Sequence, residues 1–285
     1  MSNTLGESGA ATRSNLPNAV VVGAGGLGMA IARRMAQGHR IVLADIDGAL
    51  AERQAAALAN EGGEAIAVQC DVTSRASVAD LAARVGDLGG FRALVHVAGL
   101  SIGAGDFGRI VEVNLRGPAL VAQALLPMAL AGSCAILIAS MAAHLSQPDE
   151  AAAGILADPA ADELAERLRA HLGAQEGATP AAAYALSKAG LLAMARSQAA
   201  AWGKRGARIV SLSPGMIATP MGRGTYGESP NKARMFAKSP LAREGAMHEI
   251  ADAVEFLASH RAAFISGTDL LVDGGLSAAL TVPQG

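Results

Sequence analysis

The sequence predicts an α/β fold in which a doubly wound, seven-stranded parallel sheet carries helices on both faces. Two observations predict it: short, wholly apolar runs recur along the 285 residues, and Ala-rich segments with helical spacing separate them. A strand that is apolar throughout is covered on both faces, which is typical of parallel sheets in α/β proteins. The composition agrees, because 51% of the residues are hydrophobic and 17% are charged, the balance of a large buried core.

The predicted strands follow one another without a break in composition. We therefore expect a single domain over residues 17–285, preceded by a flexible tail over 1–16, whose Ser, Gly and Asn residues are typical of a loose terminus. That tail lacks the basic start and the apolar stretch of a secretory signal peptide. The predicted strands are residues 19–22, 40–45, 65–72, 93–98, 134–140, 208–213 and 269–273.

Residues 145–178 interrupt this alternation after the fifth strand. Asp158-Pro159 predicts the start of a helix, because an acidic cap is followed by proline at the first helical position. Leu164, Leu168 and Leu172 then recur every fourth residue between charged residues, which predicts an amphipathic helix with a narrow apolar stripe. We expect this helical insertion to pack on the domain's own surface or on a partner.

A glycine-rich turn follows the first predicted strand directly and opens a helix. Gly23, Gly25 and Gly28 let the backbone turn tightly and approach a pyrophosphate, whose charge the helix N-terminus stabilises. Asp45 ends the second strand, where a carboxylate can bond both hydroxyls of an adenosine ribose and repels a 2′-phosphate. This context predicts a Rossmann-type dinucleotide site that prefers NAD to NADP; a glycine turn without a ligand is the alternative.

Charge and cysteine content narrow the function classes. A net charge of −2 gives no electrostatic basis for binding nucleic acid or an anionic membrane, and no uncharged run is long and apolar enough to span a bilayer. Cys70 and Cys134 lie in apolar runs, are too few for a disulfide framework and lack zinc spacing, so we expect buried thiols and no metal site. These features predict a cytoplasmic protein.

Tyr184 and Lys188 are the candidate acid–base pair. Thr179-Pro180 predicts the start of a helix over about 181–202, on which Tyr184 and Lys188 stand one turn apart on the same face. An ammonium near a phenol favours the phenolate and lowers the pKa of the tyrosine, which yields an acid–base group useful near neutral pH. A tyrosine that merely happens to precede a lysine is the alternative.

Three further polar residues lie at positions where they could bind cofactor, substrate or water, and each position also has a purely structural explanation. Asp71 follows the third strand, where it can meet an adenine or cap the next helix. Ser140 ends the fifth strand, where it can hold a substrate oxygen or form a turn. Asn114 lies four residues before Pro118 in a predicted helix over 106–126, so the proline frees its carbonyl for interior water or marks only a packing kink.

As an ordered set, these residues resemble the short-chain dehydrogenase/reductase family. The likeness runs from residue 17 to residue 277 and includes the segments Ala98-Gly99, Pro214–Thr219 and Val272–Gly275. It implies a single dinucleotide-binding catalytic domain and an enzyme that moves a hydride between a nicotinamide cofactor and a carbonyl carbon.

The resemblance also implies roles for individual residues. Tyr184 is the catalytic acid–base, and Lys188 tunes it while binding the nicotinamide ribose. Ser140 orients the reacting oxygen, and Asn114 holds the water that links Lys188 to solvent. Ile217 and Thr219 contact the carboxamide. The candidate cofactor-binding residues are Gly23, Gly25, Leu27, Gly28, Asp45, Asp71, Val72, Ala98, Gly99, Tyr184, Lys188, Pro214, Gly215, Ile217 and Thr219.

Several features depart from the family pattern. The usual TGxxxGxG turn is one residue shorter and starts with Val22, and the usual Asn-Asn-Ala-Gly is His96-Val97-Ala98-Gly99, in which we expect His96 to be a core or strand-end residue. The loop from Gly99 to Asn114 is shorter than usual, and the insertion lengthens the Ser140–Tyr184 spacing. Together these two departures resemble the bacterial 3α-hydroxysteroid dehydrogenase/carbonyl reductase branch.

We therefore expect an NAD-dependent enzyme that interconverts a secondary alcohol and a ketone on an apolar small molecule, a steroid among the candidates. The alternatives are a catalytically silent NAD-binding sensor or scaffold, and a sugar-nucleotide epimerase or dehydratase. The family resemblance implies a homo-oligomer, either a dimer or a tetramer. The candidate substrate walls are residues 100–108, 141–146, the insertion and 220–240. Their apolar side chains are Leu100, Phe107, Met141, Met221, Tyr226, Met235 and Phe236. The basic residues that keep an acidic substrate open are Arg223, Lys232, Arg234 and Lys238.

Overall fold

The computed structural model describes residues 15–173, 177–219, 234–235 and 237–281. Their strands are β1 (Asn18–Val22), β2 (Arg40–Asp45), β3 (Ala65–Gln69), β4 (Phe91–His96), β5 (Ala129–Ile138), β6 (Arg208–Pro214) and β7 (Asp269–Val272). They form one sheet in the order β3-β2-β1-β4-β5-β6-β7, and each neighbouring pair is parallel. The predicted fold class is confirmed. Because the strand order reverses between β1 and β4, the carboxyl ends of these strands border a crevice, which is where such sheets bind ligands.

Helices cover both faces of the sheet. The helices of the described residues are α1 (Gly26–Met35), α2 (Gly48–Asn60), α3 (Arg75–Asp87), α4 (Phe107–Val111), α5 (Gly117–Leu125), α6 (Ala142–Leu145), α7 (Glu150–Leu156), α8 (Leu164–Leu172), α9 (Pro180–Gly203), α10 (Met247–Ala258) and α11 (Leu276–Thr281). Short 3-10 turns occupy Leu126–Met128 and His260–Ala262. None of these helices is both long and apolar enough to cross a membrane.

The continuous apolar strands divide their side chains between two cores. In β1, Val20 and Val22 face a cluster with α3, α5 and α9, whereas Ala19 and Val21 face a second cluster with α1 and α10. All four residues are fully buried. Strand side chains alternate between the two faces of a sheet, so a strand with helices on both faces must be apolar at every position.

Two strand boundaries differ from the prediction for local reasons. β4 ends at His96, because the next two backbone N–H groups, those of Val97 and Ala98, both donate to the single carbonyl of Val22. β5 begins at Ala129, earlier than predicted, because its first half contains small and polar residues such as Gly132 and Ser133 that hide the apolar pattern. Residues 1–14 of the predicted tail lie outside the described residues.

The predicted helix over 106–126 contains a π-helical turn, Glu112–Arg116, between α4 and α5. The N–H of Gly117 donates to the carbonyl of Glu112, five residues earlier. This wider turn directly precedes Pro118, which has no N–H to donate, and helices accommodate such defects by π-turns. The expected simple kink is therefore a π-turn, and it contains Asn114.

The insertion differs from its prediction at the start. Asp158-Pro159 forms part of a turn rather than a cap, because the N–H of Asp158 donates to the carbonyl of Ile155. α8 begins only at Leu164, and its N-cap makes no side-chain bond. The sequence analysis also missed α7, which Asp149 caps by accepting a bond from the N–H of Ala152 at 2.8 Å.

The predicted apolar stripe of α8 is confirmed. Leu164 and Leu168 are fully buried, and Leu172 packs against the same core at its edge. α8 lies against α4 and the π-turn, so within the described residues the insertion packs on the domain's own surface. Asp162 pairs there with both Arg75, at 3.0 Å, and the mostly buried Arg116.

Candidate active site

The glycine turn joins β1 to α1 in a shape that side chains would block. Gly23 has φ of +109°, and a Cβ there would lie 2.7 Å from the backbone nitrogen of Ala98. A Cβ on Gly28 would overlap the Gly23 carbonyl, whereas one on Gly25 would meet no atom within 4 Å. Gly25 is the N-cap of α1 and offers no side-chain bond to its N–H groups. The turn therefore leaves an open space in front of uncapped N–H donors, which fits a phosphate.

Asp45 is held against this turn. Its Oδ2 accepts a bond from the N–H of Ala24 at 2.7 Å, and its Oδ1 accepts one from the N–H of Asp47 at 3.0 Å. These bonds fix the carboxylate at the end of β2, beside Ile46, which is 53% exposed. A fixed anion next to an apolar side chain offers nothing to a 2′-phosphate and leaves lone pairs for ribose hydroxyls.

Asp71 does not cap the following helix. The N-cap of α3 is Ser74, whose side chain accepts a bond from the N–H of Ser77. Asp71 Oδ1 instead accepts bonds from the N–H and the hydroxyl of Thr73, at 2.9 and 2.7 Å. Val72 packs against Gly117, where a Cβ would lie 2.7 Å from Val72 Cγ2. The helix-cap alternative for Asp71 is thus wrong, and Asp71 lines the cleft beside Val72.

Asn114 acts on the loop after β4 through its side chain. The Oδ1 accepts a bond from the N–H of Leu100 at 2.6 Å, and the Nδ2 donates to the Leu100 carbonyl at 2.9 Å. Asn114 is fully buried. The amide therefore clamps the backbone of the loop beside Gly99, a contact that the sequence analysis did not anticipate. The predicted role of its carbonyl in holding water stays a prediction.

Tyr184 and Lys188 project from one face of α9, as predicted. Thr179 caps the helix by accepting a bond from the N–H of Ala182, and Pro180 is its first residue. The Lys188 Nζ lies 5.7 Å from the centroid of the Tyr184 ring and donates to the carbonyl of Ile138 at 2.9 Å. Burial lowers the pKa of Lys188 to about 8. A cation held in the interior at this distance favours ionisation of the phenol.

Two loops close the site on the other side. Ser140 follows β5, and its Oγ accepts a bond from the N–H of Ala142 at 3.2 Å. The loop after β6 carries Ile217 and Thr219. The N–H of Ala218 donates to the carbonyl of Gly245 at 2.9 Å, which fixes that loop against the following segment.

These elements enclose a cleft of about 650 Å³ at the carboxyl edge of the sheet. Every candidate site residue except Asn114 lines it, and Asn114 stands behind the wall formed by Gly99 and Leu100. The candidates that line the cleft are Gly23, Gly25, Leu27, Gly28, Asp45, Asp71, Val72, Ala98, Gly99, Ser140, Tyr184, Lys188, Pro214, Gly215, Ile217 and Thr219.

The substrate walls agree with the prediction in part. Leu100, Met141 and Met235 line the cleft. Phe107 does not, because it is 3% exposed in the core, with the Arg169 guanidinium 5.6 Å from its ring centroid. Arg234 and Lys238 are exposed and do not line the cleft. Met221, Arg223, Tyr226, Lys232 and Phe236 lie outside the described residues.

Further residues line the cleft. Ile102 and Leu145 belong to the expected wall segments 100–108 and 141–146, whereas the sequence analysis missed Arg109 and Val113 because only the fold brings them there. Arg109 and Val113 face it from neighbouring turns at the start of the helix after β4. The additional lining residues include Ile46, Ile102, Arg109, Val113, Leu145, Met216 and Glu244.

His96 is a core residue, as expected. It is 2% exposed, and its Nε2 has no hydrogen-bond partner among the described residues. Burial, together with the nearby Lys188 ammonium, lowers the pKa of His96 to about 3. The imidazole is therefore neutral throughout the neutral pH range. Cys70 and Cys134 are free and buried, as predicted. Among the described residues, no group of His, Cys, Asp and Glu is arranged to hold a metal ion.

Comparisons with known proteins agree with this geometry. Residues 22–156 and 169–277 match a family model described as enoyl-(acyl carrier protein) reductase. A short-chain dehydrogenase/reductase of Alternaria brassicicola is 30% identical over 264 residues, which are 92% of this chain and 96% of the relative. A cis-4-hydroxycyclohexanecarboxylate dehydrogenase of Sinomonas cyclohexanicum is 33% identical over 273 residues, which are 91% and 96% of the two chains.

Two further likenesses concern steroid enzymes. A 3-alpha-hydroxysteroid dehydrogenase/carbonyl reductase of Comamonas testosteroni is 31% identical over 213 residues, which are 73% of this chain and 80% of the relative. The solved structure of a 7α-hydroxysteroid dehydrogenase with NADH and 7-oxoglycochenodeoxycholic acid superposes with a TM-score of 0.73 at 26% identity, covering 91% of this chain and 93% of that one.

Proposed function

The chain belongs to the short-chain dehydrogenase/reductase family, oxidoreductases that act on CH–OH groups, and we propose that it interconverts a secondary alcohol and a ketone with NAD. The observation that carries this proposal is the pair on α9. Tyr184 lines the cleft, and the buried Lys188 Nζ lies 5.7 Å from its ring centroid. A pair of this kind supplies a proton donor that works near neutral pH.

The residues present fit a dinucleotide along the whole cleft. The uncapped start of α1 would hold the pyrophosphate in the space in front of Gly25. Asp45 and Asp71 would hold the adenosine, and Lys188 with Ile217 would hold the nicotinamide riboside. When bound, reduced NAD supplies the hydride that a carbonyl carbon accepts.

The protein's own groups manage the oxygen and its proton. The Tyr184 hydroxyl donates its proton to the carbonyl oxygen as the carbon gains the hydride, so the ketone becomes a neutral alcohol. The phenolate that remains is stabilised by the Lys188 ammonium until it regains a proton from solvent. Ser140 orients the substrate oxygen by hydrogen bonding. Asn114 fixes the loop that forms the floor beside Lys188. In the oxidative direction the same groups act in reverse.

We expect NAD rather than NADP. Asp45 is held in place by two backbone N–H groups, so it cannot swing away from an incoming 2′-phosphate. The next residue is the exposed Ile46 rather than a cation. A phosphate at this position would meet negative charge and an apolar side chain, which disfavours NADP.

A catalytically silent NAD-binding sensor is the less favoured alternative. Burial of Lys188 lowers its pKa, and Tyr184 lines the same cleft. A protein that only senses NAD has no need of such a pair. The test is a panel of secondary alcohols with NAD, followed by NADH absorbance. Turnover of any member supports the enzyme. Binding of NAD without turnover of alcohols or ketones of any size would support the sensor.

The substrate is proposed to be a small molecule with an apolar body. The outer part of the cleft is lined mainly by aliphatic side chains and methionines, such as Leu100, Ile102 and Met141. The named substrates of the relatives above include an alicyclic hydroxy acid and steroids, whose bodies fit such walls.

We also propose a homo-oligomer located in the cytoplasm, with a dimer favoured over a tetramer. The two free, buried thiols fit a reducing compartment. Family members commonly form tetramers by pairing the helices that here span 108–131 and 181–202. α8 covers part of α4 at the start of the first of these helices, and this favours the smaller assembly. Light scattering of the intact protein distinguishes the two states.

A further inference from the structure

We propose that Arg109 binds a carboxylate on the substrate, so that the substrate class is an apolar keto or hydroxy acid. This inference rests on the proposed alcohol–ketone chemistry and names the substrate class of the same site. It comes from the position of Arg109 in the cleft and from the absence of a partner for its guanidinium among the described residues.

Arg109 lies at the substrate end of the cleft. Arg109 and Val113, one turn apart on the helix, both line it. α4 packs against α9, the helix of Tyr184. The adenosine end is elsewhere, because Gly117, about two turns after Arg109, is the residue that contacts Val72. Among the described arginines, Arg109 alone lines the cleft.

Arg109 precedes Asn114 on the helix that holds the loop beside the reacting centre. Asn114, five residues later, clamps the loop beside Gly99, and a Cβ on Gly99 would lie 3.7 Å from the Lys188 Nζ.

Arg109 is an exposed residue whose stem is positioned at the start of α4, while its guanidinium makes no bond to a described residue. The backbone N–H of Arg109 donates to the capping Asp106 Oδ1 at 2.8 Å, and the Arg109 stem lies over Gly105, whose Cβ would stand 3.4 Å from it. No described residue forms a hydrogen bond or an ion pair with the guanidinium, whereas Arg33 and Arg243 each pair with a glutamate. Five N–H donors in a planar fork therefore remain for a carboxylate.

Among the described residues that line the cleft, Arg109 and Lys188 are the only basic side chains. Asp45 and Asp71 stand at the nucleotide end, and Glu244 adds a further acidic side chain to the lining. Lys188 is engaged at the reacting centre. Ile102 and Leu145, which also line the cleft, are apolar and offer no polar partner to a carboxylate.

The test compares two ketones that share a ring and differ in charge. 4-Oxocyclohexanecarboxylate and 4-methylcyclohexanone are reduced with NADH by the wild type, Arg109→Gln, Arg109→Lys and the control Arg53→Gln. Arg53 is an exposed residue of α2 that does not line the cleft. Loss of a charged hydrogen bond should raise the KM of Arg109→Gln for the acid about ten- to hundredfold, with kcat and the neutral ketone little changed. Arg109→Lys should retain part of the preference, and Arg53→Gln all of it.

Two kinetic results would overturn the inference. One is an equal effect of Arg109→Gln on both ketones, and the other is a wild type that does not prefer the acid. Either leaves the proposed function standing if the ketones are still reduced. If neither ketone is reduced, calorimetry with cyclohexanecarboxylate and the NADH-loaded protein decides. Binding that Arg109→Gln weakens at least tenfold supports the anion site even without turnover, and binding that is absent or unaffected refutes it.

Discussion

Replacing Lys188 with methionine should stabilise the fold at neutral pH while it abolishes catalysis. Burial lowers the pKa of Lys188 from 10.5 to about 8. The difference, about 2.5 units at about 1.36 kcal/mol each, means that the folded state holds this ammonium at a cost of about 3 kcal/mol. Methionine has a similar length and carries no charge. Its cost is the Ile138 carbonyl that loses its 2.9 Å partner, worth about 1 kcal/mol. The net gain is about 2 kcal/mol.

The pH dependence distinguishes this cause from better packing. Below pH 8 the lysine is protonated in both states, so the folded state bears the full penalty. Between pH 8 and pH 10.5 the folded protein releases the proton while the unfolded chain keeps it, and the wild type therefore gains stability as pH rises. The advantage of Lys188→Met should shrink by about 1.4 kcal/mol per pH unit above pH 8 and vanish near pH 9.5 to 10.

Urea denaturation at pH 7 and at pH 9.5, at one fixed protein concentration, measures both quantities. Lys204→Met is the matched control, because Lys204 is exposed at the end of α9, and it should leave stability within about 0.5 kcal/mol. A variant less stable than the wild type at pH 7 would refute the reasoning. So would an advantage that is the same at both pH values.

Three further predictions concern His96, the cysteines and Asp45. Because the pKa of His96 in the folded state is about 3, the unfolded chain binds a proton below pH 6.5 that the folded protein does not bind. The free energy of unfolding of the wild type should therefore fall by about 1.4 kcal/mol per pH unit from this residue alone. For His96→Leu the fall between pH 6.5 and pH 5 should be about 2 kcal/mol smaller. Equal falls of the two proteins in urea denaturation would contradict this prediction. Burial raises the pKa of Cys70 to about 11 and that of Cys134 to about 12. A thiol-specific disulfide reagent at pH 8 should therefore label neither cysteine in the native protein and both cysteines in urea. Labelling before unfolding would show that burial does not protect them. Asp45→Ala should reduce the ratio of the NADP and NAD dissociation constants at least about tenfold, because it removes both the repulsion and the ribose bonds, and an unchanged ratio would place the 2′-hydroxyl elsewhere.

The fold could be predicted because its signals are local. Each strand buries both faces, so each is an apolar run, and Thr179-Pro180 marks the start of α9 because a cap and a first-turn proline act within one turn. Features that depend on distant contacts were missed. The π-turn at Glu112–Arg116 and the turn at Asp158-Pro159 leave no mark in hydrophobic spacing.

The residues of the candidate site could likewise be predicted where local signals mark them, and not where distant contacts position them. Gly23, Asp45 and Ser140 stand at strand ends, which a parallel sheet brings to one edge, so their shared position could be predicted. The sequence analysis predicted a role in water binding for the backbone carbonyl of Asn114. In the structure its side chain forms two hydrogen bonds with the backbone of Leu100, fourteen positions away in the chain. Arg109 had no motif at all, and only the packing of α4 on α9 places it in the cleft.

The most direct test of the account is the kcat of Tyr184→Phe, measured beside its NADH dissociation constant. The substitution deletes one hydroxyl and keeps the ring that packs in the cleft wall, so the substrate oxygen loses its proton donor while the nucleotide contacts remain. We predict that kcat falls by at least about a thousandfold on any ketone that the wild type reduces, and that NADH affinity changes by less than about threefold. A variant that keeps most of the wild-type kcat would contradict the assignment of Tyr184 as the acid–base group.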